Sequence, residues 1–166
     1  MKSRAVALDS NLLLLYIVGS AAPSYIAKHK RLHPDYTEGD FHLLVQQLSS
    51  FSVLILTPNT VSETSNLIDH IGNPARSHIY QVLRELLASL PAFEERYVSS
   101  VSASNRLELA KLGITDCVLL TLCSEGIPLL TVDLQLYLAA SRFSKNAVNF
   151  HHLREAQFES ERVRSS

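Results

Sequence analysis

The stretch Leu112-Gly113-Ile114-Thr115-Asp116-Cys117-Val118-Leu119-Leu120, followed shortly by Ile127-Pro128-Leu129-Leu130-Thr131-Val132-Asp133, decides how the chain is read. In the first piece Gly113 is a break, Thr115 an N-cap and the run behind Asp116 apolar. This predicts a helix that opens at an acidic residue. The second piece predicts a short buried strand from Pro128 to Val132, opened by Gly126 and Pro128 and closed by a carboxylate. Two aspartates thus fall at the same end of adjacent helix and strand units. Either acid alone has a structural explanation: Asp116 gains from the helix dipole, and Asp133 can cap a helix starting at Leu134. Their meaning depends on whether other carboxylates join them.

Working outward, Arg4 to Leu8 reads as a buried strand ending at Asp9, and Leu12 to Val18 as a helix apolar on all sides. Gly19 to Pro34 reads as irregular and locally basic. Thr37 to Gln47 predicts an amphipathic helix, with Phe41, Leu44, Val45 and Leu48 at i, i+3, i+4, i+7. Ser52 to Leu56 is a second buried strand. Thr57-Pro58-Asn59-Thr60 turns it into a helix reaching about Ile71, and Asn73-Pro74 opens the next. The core stripe there is Ile79, Val82, Leu83, Leu86 and Leu90, and Pro91 ends it. Tyr97 to Val101 reads as an edge strand, Asn105 to Leu112 as a short helix, and Ala147 to Phe150 as a last strand. Strands apolar on both faces and separated by helices predict an α/β fold. The expectation is a single-domain three-layer α/β/α protein with a central, mostly parallel, about five-stranded sheet. The domain would span residues 1–150, with a charged tail at 151–166.

Composition narrows the class. The 166 residues are 46% hydrophobic and 19% charged, with a net charge of −1. That suits one soluble domain and argues against a generally basic nucleic-acid binder, while leaving room for a local basic patch. No segment is long enough to span a bilayer. The apolar run from Leu12 is at the lower limit for a signal peptide and follows Asp9, Ser10 and Asn11, so export is not expected. Cys117 and Cys123 read as small core residues on one helix, which suits a cytoplasmic location. His29 and His33 are spaced i, i+4, but nothing accompanies them to complete a zinc site.

In an open parallel sheet, ligands bind at the carboxyl ends of the strands. Asp9 closes the first strand there. Glu63 falls in the first turn after the second, where Thr60-Val61-Ser62-Glu63 also fits a capping box. Asp116 and Asp133 complete a set of four. Two carboxylates about 5 Å apart repel by about 3 kcal/mol at an effective dielectric near 20. Four stay ionised at neutral pH only with a cation among them. Oxygen donors without His or Cys select hard ions, Mg²⁺ or Mn²⁺, which suit hydrolysis of a phosphodiester.

The ordered motifs Leu8-Asp9-Ser10-Asn11, Thr57-Pro58 with Val61 and Glu63, Gly113-Ile114-Thr115-Asp116 and Leu130-Thr131-Val132-Asp133 resemble those of the PIN domain family. Ala147-Val148-Asn149-Phe150 resembles its closing strand. The resemblance covers about residues 5–150. It implies a Mg²⁺- or Mn²⁺-dependent endoribonuclease, of the kind found as the toxin of bacterial toxin–antitoxin pairs. Asp9, Glu63, Asp116 and Asp133 would be the catalytic and metal-binding acids, with Asn11 and Thr131 as polar supports. RNA would be the substrate, an antitoxin protein a possible partner, and a homodimer the assembly the family suggests. Lys28, Lys30 and Arg31, with Tyr25 and Tyr36 for stacking, are the candidate RNA contacts. The alternative is a catalytically silent PIN-like module that binds RNA or protein. A receiver-type phosphoacceptor fits poorly: no Asp follows Tyr97 to Val101, and no Lys follows Phe150.

Overall fold

The computed structural model describes residues 3–89, 92–143 and 146–165. Leu90 and Pro91, expected to finish one helix, lie outside the described residues. Five strands, β1 (Ser3–Leu8), β2 (Phe51–Leu56), β3 (Phe93–Glu95), β4 (Leu129–Thr131) and β5 (Ala147–Asn149), form one sheet in the order β3-β2-β1-β4-β5. Every pairing is parallel. The helices are α1 (Ser10–Ala21), α2 (Glu38–Leu48), α3 (Pro58–Ile68), α4 (Ala75–Ala88), α5 (Ser100–Ser104), α6 (Leu109–Ser124), α7 (Leu134–Ala140) and α8 (Phe150–Arg164). The three-layer α/β/α architecture is therefore as the strand and helix patterning predicts.

Alternation along the strands divides the core. Val6, Leu8, Leu56 and Leu130 face one side, where they pack with α1 residues Leu12 to Val18 and with Ile79 and Leu83 of α4. Ala7, Ile55 and Leu129, one residue out of step, face the other side with Leu119, Leu120, Leu122 and Cys123 of α6 and Leu136 of α7. Each strand must be apolar on both faces because each face is covered by helices. α1 has no polar face because it is enclosed between the sheet, α2, α3 and α4. It runs on through Gly19 to Ala21, beyond the expected stop, and the glycine makes room for α2: a Cβ there would meet the Phe41 ring at 2.2–2.7 Å. Cys117 and Cys123 are free and buried. No described helix is long and apolar enough to cross a membrane.

Three local expectations are corrected. The edge strand is β3 at Phe93–Glu95, ahead of Tyr97 to Val101. Its charged Glu94, Glu95 and Arg96 hid it, whereas Ser99 accepts from the Ser102 N–H at 3.1 Å and starts α5. The helix expected over Asn105 to Leu112 is interrupted: Asn105 ends α5, and α6 starts only at Leu109. The cap proposed at Thr115 is one turn element late. Gly113 itself leaves the helical conformation at φ 81°, ψ 176°, so the helix restarts immediately after it.

The tail from His151 is helical and tied to the body. Arg154 Nε meets Asp40 Oδ1 at 2.8 Å, and Nη2 donates to the Asp35 carbonyl at 3.1 Å. Asp40, only 6% exposed, also completes a capping box with Thr37. Arg154→Ala leaves that carboxylate without its cation, so a loss of about 1–3 kcal/mol is expected, read as a lower urea midpoint. An unchanged midpoint would mean that α8 is not held by this pair.

Candidate active site

The carboxyl ends of β1 and β4 lie side by side where the strand order reverses, and each is followed by a helix whose N-cap is an aspartate. Asp9 Oδ1 accepts from the Leu12 N–H at 2.8 Å, and Asp133 Oδ1 from the Leu136 N–H at 2.8 Å. Asp133 therefore does the capping expected of it, and Asp9, read only as the end of a strand, caps α1 as well. Capping occupies one oxygen of each, which leaves the second for something else.

For Asp9 the second oxygen is fixed by β4. The Thr131 hydroxyl and the Val132 N–H, at 2.8 Å, both donate to Oδ2. Thr131 Oγ1 in turn accepts from the Asp133 N–H at 3.0 Å. One buried hydroxyl thus sets the spacing of the two strand-end acids. Burial pushes the Asp9 carboxyl above its ordinary range, against the pull of its three donors, and the Asp133 charge pushes the same way.

Glu63 reaches this place from α3. The N-cap there is Thr57, which accepts from the Thr60 N–H at 3.2 Å, so Glu63 sits in the second turn and takes no part in a capping box. Its Oε2 accepts from the Ser10 hydroxyl at 2.9 Å, and Thr64 Oγ1 donates to the Ser10 carbonyl at 3.3 Å. These two bonds fasten α3 to the first residue of α1, immediately after Asp9. Asp116 arrives from the restarted part of α6, half-buried. Its carboxyl is pushed up to about 7, first by burial and then by the charges of Asp133, Asp9 and Glu63. Asp116 therefore feels the charges of acids from three other segments.

The supports divide. Thr131 bridges two acids, whereas Asn11 Oδ1 accepts from Arg31 Nη2 at 3.1 Å and faces the basic segment. Arg31 is held by that bond and by its own N–H donating to Nδ1 of buried His29 at 3.3 Å. The His29 imidazole is pushed down to about 4, by burial first and then by His70, so it is a neutral acceptor. Lys28 and Lys30 are exposed beside it. Tyr36 does not join them as a stacking surface. It is 9% exposed beneath Arg154, and its phenol is pushed up to about 12 by burial and then by the Asp9 charge. Tyr25 is half-buried, edge-on to His78.

Glu63 and Asp116 also line an open cleft of about 550 Å³ whose other walls include Pro58, Asn59, Asn66 and Tyr97. Tyr97 was missed from sequence because Tyr97 to Val101 reads as a strand; Ser10 was missed because its bond to Glu63 spans distant segments. Among the described residues no three His, Cys, Asp or Glu side chains form a group that could by itself hold a metal ion. Comparison with family models, curated proteins and solved structures gives no match. The class that the fold and site define is thus a parallel α/β domain with an acidic cluster at its strand ends.

Proposed function

We propose that the protein is a divalent-metal-dependent endoribonuclease of the PIN type. The observation that carries this reading is the position of Asp116, raised to about 7 by burial and by three other acids from distant segments. Mutual repulsion of this kind costs stability in the absence of a cation, and such sites belong to function more often than to structure. The donor chemistry fits Mg²⁺ or Mn²⁺, which are held by one or two carboxylates, waters and substrate phosphates rather than by a closed cage of side chains. One or two of Asp116, Glu63 and Asp133, which have solvent access, would hold such an ion, while Asp9 is committed to three donors. A bound ion would supply an activated water and neutralise charge developing on the phosphate.

The chain's own residues do the rest. Thr131 and the Val132 N–H keep Asp9 oriented, Ser10 aims Glu63, and Lys28, Lys30 and Arg31 offer positive charge to the flanking phosphates. An antitoxin-like partner, a second copy of the chain and a cytoplasmic setting belong to the same reading.

The test is Mn²⁺-dependent cleavage of end-labelled RNA. Cuts that disappear with EDTA support it, and intact RNA across varied substrates would refute it. Thermal stabilisation by Mn²⁺ without any cleavage would favour the catalytically silent module.

The pH dependence has a definite sign. The folded pKa of Asp116 lies above its ordinary 3.8, so between about 4 and about 7 the folded state keeps a proton that the unfolded state has lost. The Asp116 contribution to metal-free stability therefore falls as pH rises through that window, opposed below about 6.5 by His29, whose folded pKa of about 4 lies under its ordinary 6.5. A cation needs the deprotonated form, so stabilisation by Mn²⁺ grows over the same window. Thermal melts of wild type and Asp116→Asn with EDTA or Mn²⁺ from pH 5 to pH 8 check both trends, since the variant keeps His29 and loses only the Asp116 titration; parallel curves for the two proteins would contradict them.

A further inference from the structure

We infer that the cleft beside Asp116 is a nucleobase pocket, in which Tyr97 stacks on a base adjoining the scissile phosphate and Asn59 and Asn66 read that base's edge. This rests on the nuclease reading above.

The residues come from two segments. On α3, Asn59, Glu63 and Asn66 follow one another at i, i+4 and i+7, so they share one face of the helix. A catalytic-site acid is thus flanked on both sides by carboxamides. All three line the cleft, and so does Asp116. Across from them, Tyr97 lies between β3 and α5 and also lines the cleft, although it is 79% exposed.

The chemistry of these walls selects the ligand. Among the described residues, Tyr97 has no hydrogen bond or ring partner, and the Asn59 and Asn66 amides have no hydrogen-bond partner. An aromatic face and amide groups carrying both donor and acceptor are what unpaired RNA bases are recognised by. No Lys or Arg lines the cleft, so nothing in it grips a phosphate apart from an ion on Glu63 and Asp116. Pro58, Leu112 and Ile114 add apolar surface suited to a flat ring. The uncharged base therefore occupies the cleft, and its phosphate lies at the acids on the rim.

The experiment measures Mn²⁺-dependent cleavage of a randomised single-stranded RNA pool, and steady-state kinetics on one cleaved oligonucleotide, for wild type, Tyr97→Ala, Tyr97→Phe and Asn66→Ala. Loss of one stacked base is expected to raise KM for Tyr97→Ala by about 5- to 100-fold, with the loss in KM rather than kcat. Tyr97→Phe restores the KM, since the ring and not the hydroxyl stacks. Asn66→Ala changes which base is found beside the cut. An unaltered Mn²⁺-induced melting shift in Tyr97→Ala verifies that the acids remain in place. Wild-type cleavage with unchanged KM and base profile in the variants, or a fall confined to kcat, overturns the pocket alone. Absence of cleavage by wild type overturns the nuclease reading and the pocket with it.

Discussion

Asp116→Asn is expected to lose metal-dependent cleavage by about 10³-fold or more while making the metal-free protein harder to unfold. The two effects share one cause. Asp116 is half-buried and faces Asp133, Asp9 and Glu63, which is why its carboxyl is held up to about 7. At pH 8 the native protein must carry that charge among three like charges. The amide has nearly the same shape and no charge, so the repulsion vanishes. Glu63 and Asp133 are exposed, and water screens much of the interaction, which leaves a gain of about 1–2 kcal/mol. For a chain of this size that raises Tm by about 2–8 °C at pH 8. At pH 5 wild-type Asp116 is itself protonated, and the gain disappears. The Mn²⁺-induced rise in Tm should shrink sharply in the variant. Melts of both proteins at the two pH values check the whole argument. A destabilised, inactive variant would instead assign Asp116 a structural role and remove the main support for the metal site.

The fold was legible because burial on both strand faces leaves a strong pattern. Ala-Val-Ala-Leu at 5–8 and Val-Leu-Ile-Leu at 53–56 have no polar alternation, and only a sheet covered on both sides accommodates that. β3 was misplaced because an edge strand tolerates charge, and Phe93-Glu94-Glu95 has too little apolar surface to stand out. For the candidate site, the positions of Asp9 and Asp133 at strand ends were readable from the apolar runs before them. Their surroundings were not. Glu63 looked like a capping residue because Thr60 stands three before it, but Thr57 takes the cap and frees Glu63 to face Ser10. Tyr36 looked like a stacking aromatic because it follows a basic segment, but Arg154, far along the chain, covers it. Such pairings depend on tertiary neighbours, to which local patterns are blind.

Asp9→Asn should weaken the same reaction, by loosening the Thr131 link that positions Asp133, but move stability the other way. Asp9 uses both oxygens: Oδ1 caps α1 through the Leu12 N–H, and Oδ2 accepts from the Thr131 hydroxyl and the Val132 N–H. An amide offers one acceptor oxygen, so its NH₂ must face either the Leu12 donor or the Val132 donor. Whichever is chosen, a donor at a residue 4% exposed loses its acceptor. An unsatisfied buried donor costs about 1–3 kcal/mol, and relief of the buried charge offsets only part of that. Tm is therefore expected to fall by about 2–10 °C. Thr131→Val tests the same linkage from the other end, because it removes the hydroxyl that joins Asp9 to the Asp133 N–H. In a double-mutant cycle with Asp9→Asn, its cost should be far from additive. Asp116→Asn set beside Asp9→Asn provides the contrast: both lower cleavage, with Tm moving in opposite directions. If both variants melted below wild type by similar amounts at pH 8, the strand-end acids would be ordinary structural carboxylates, and neither strained burial nor a cation would be needed to explain them.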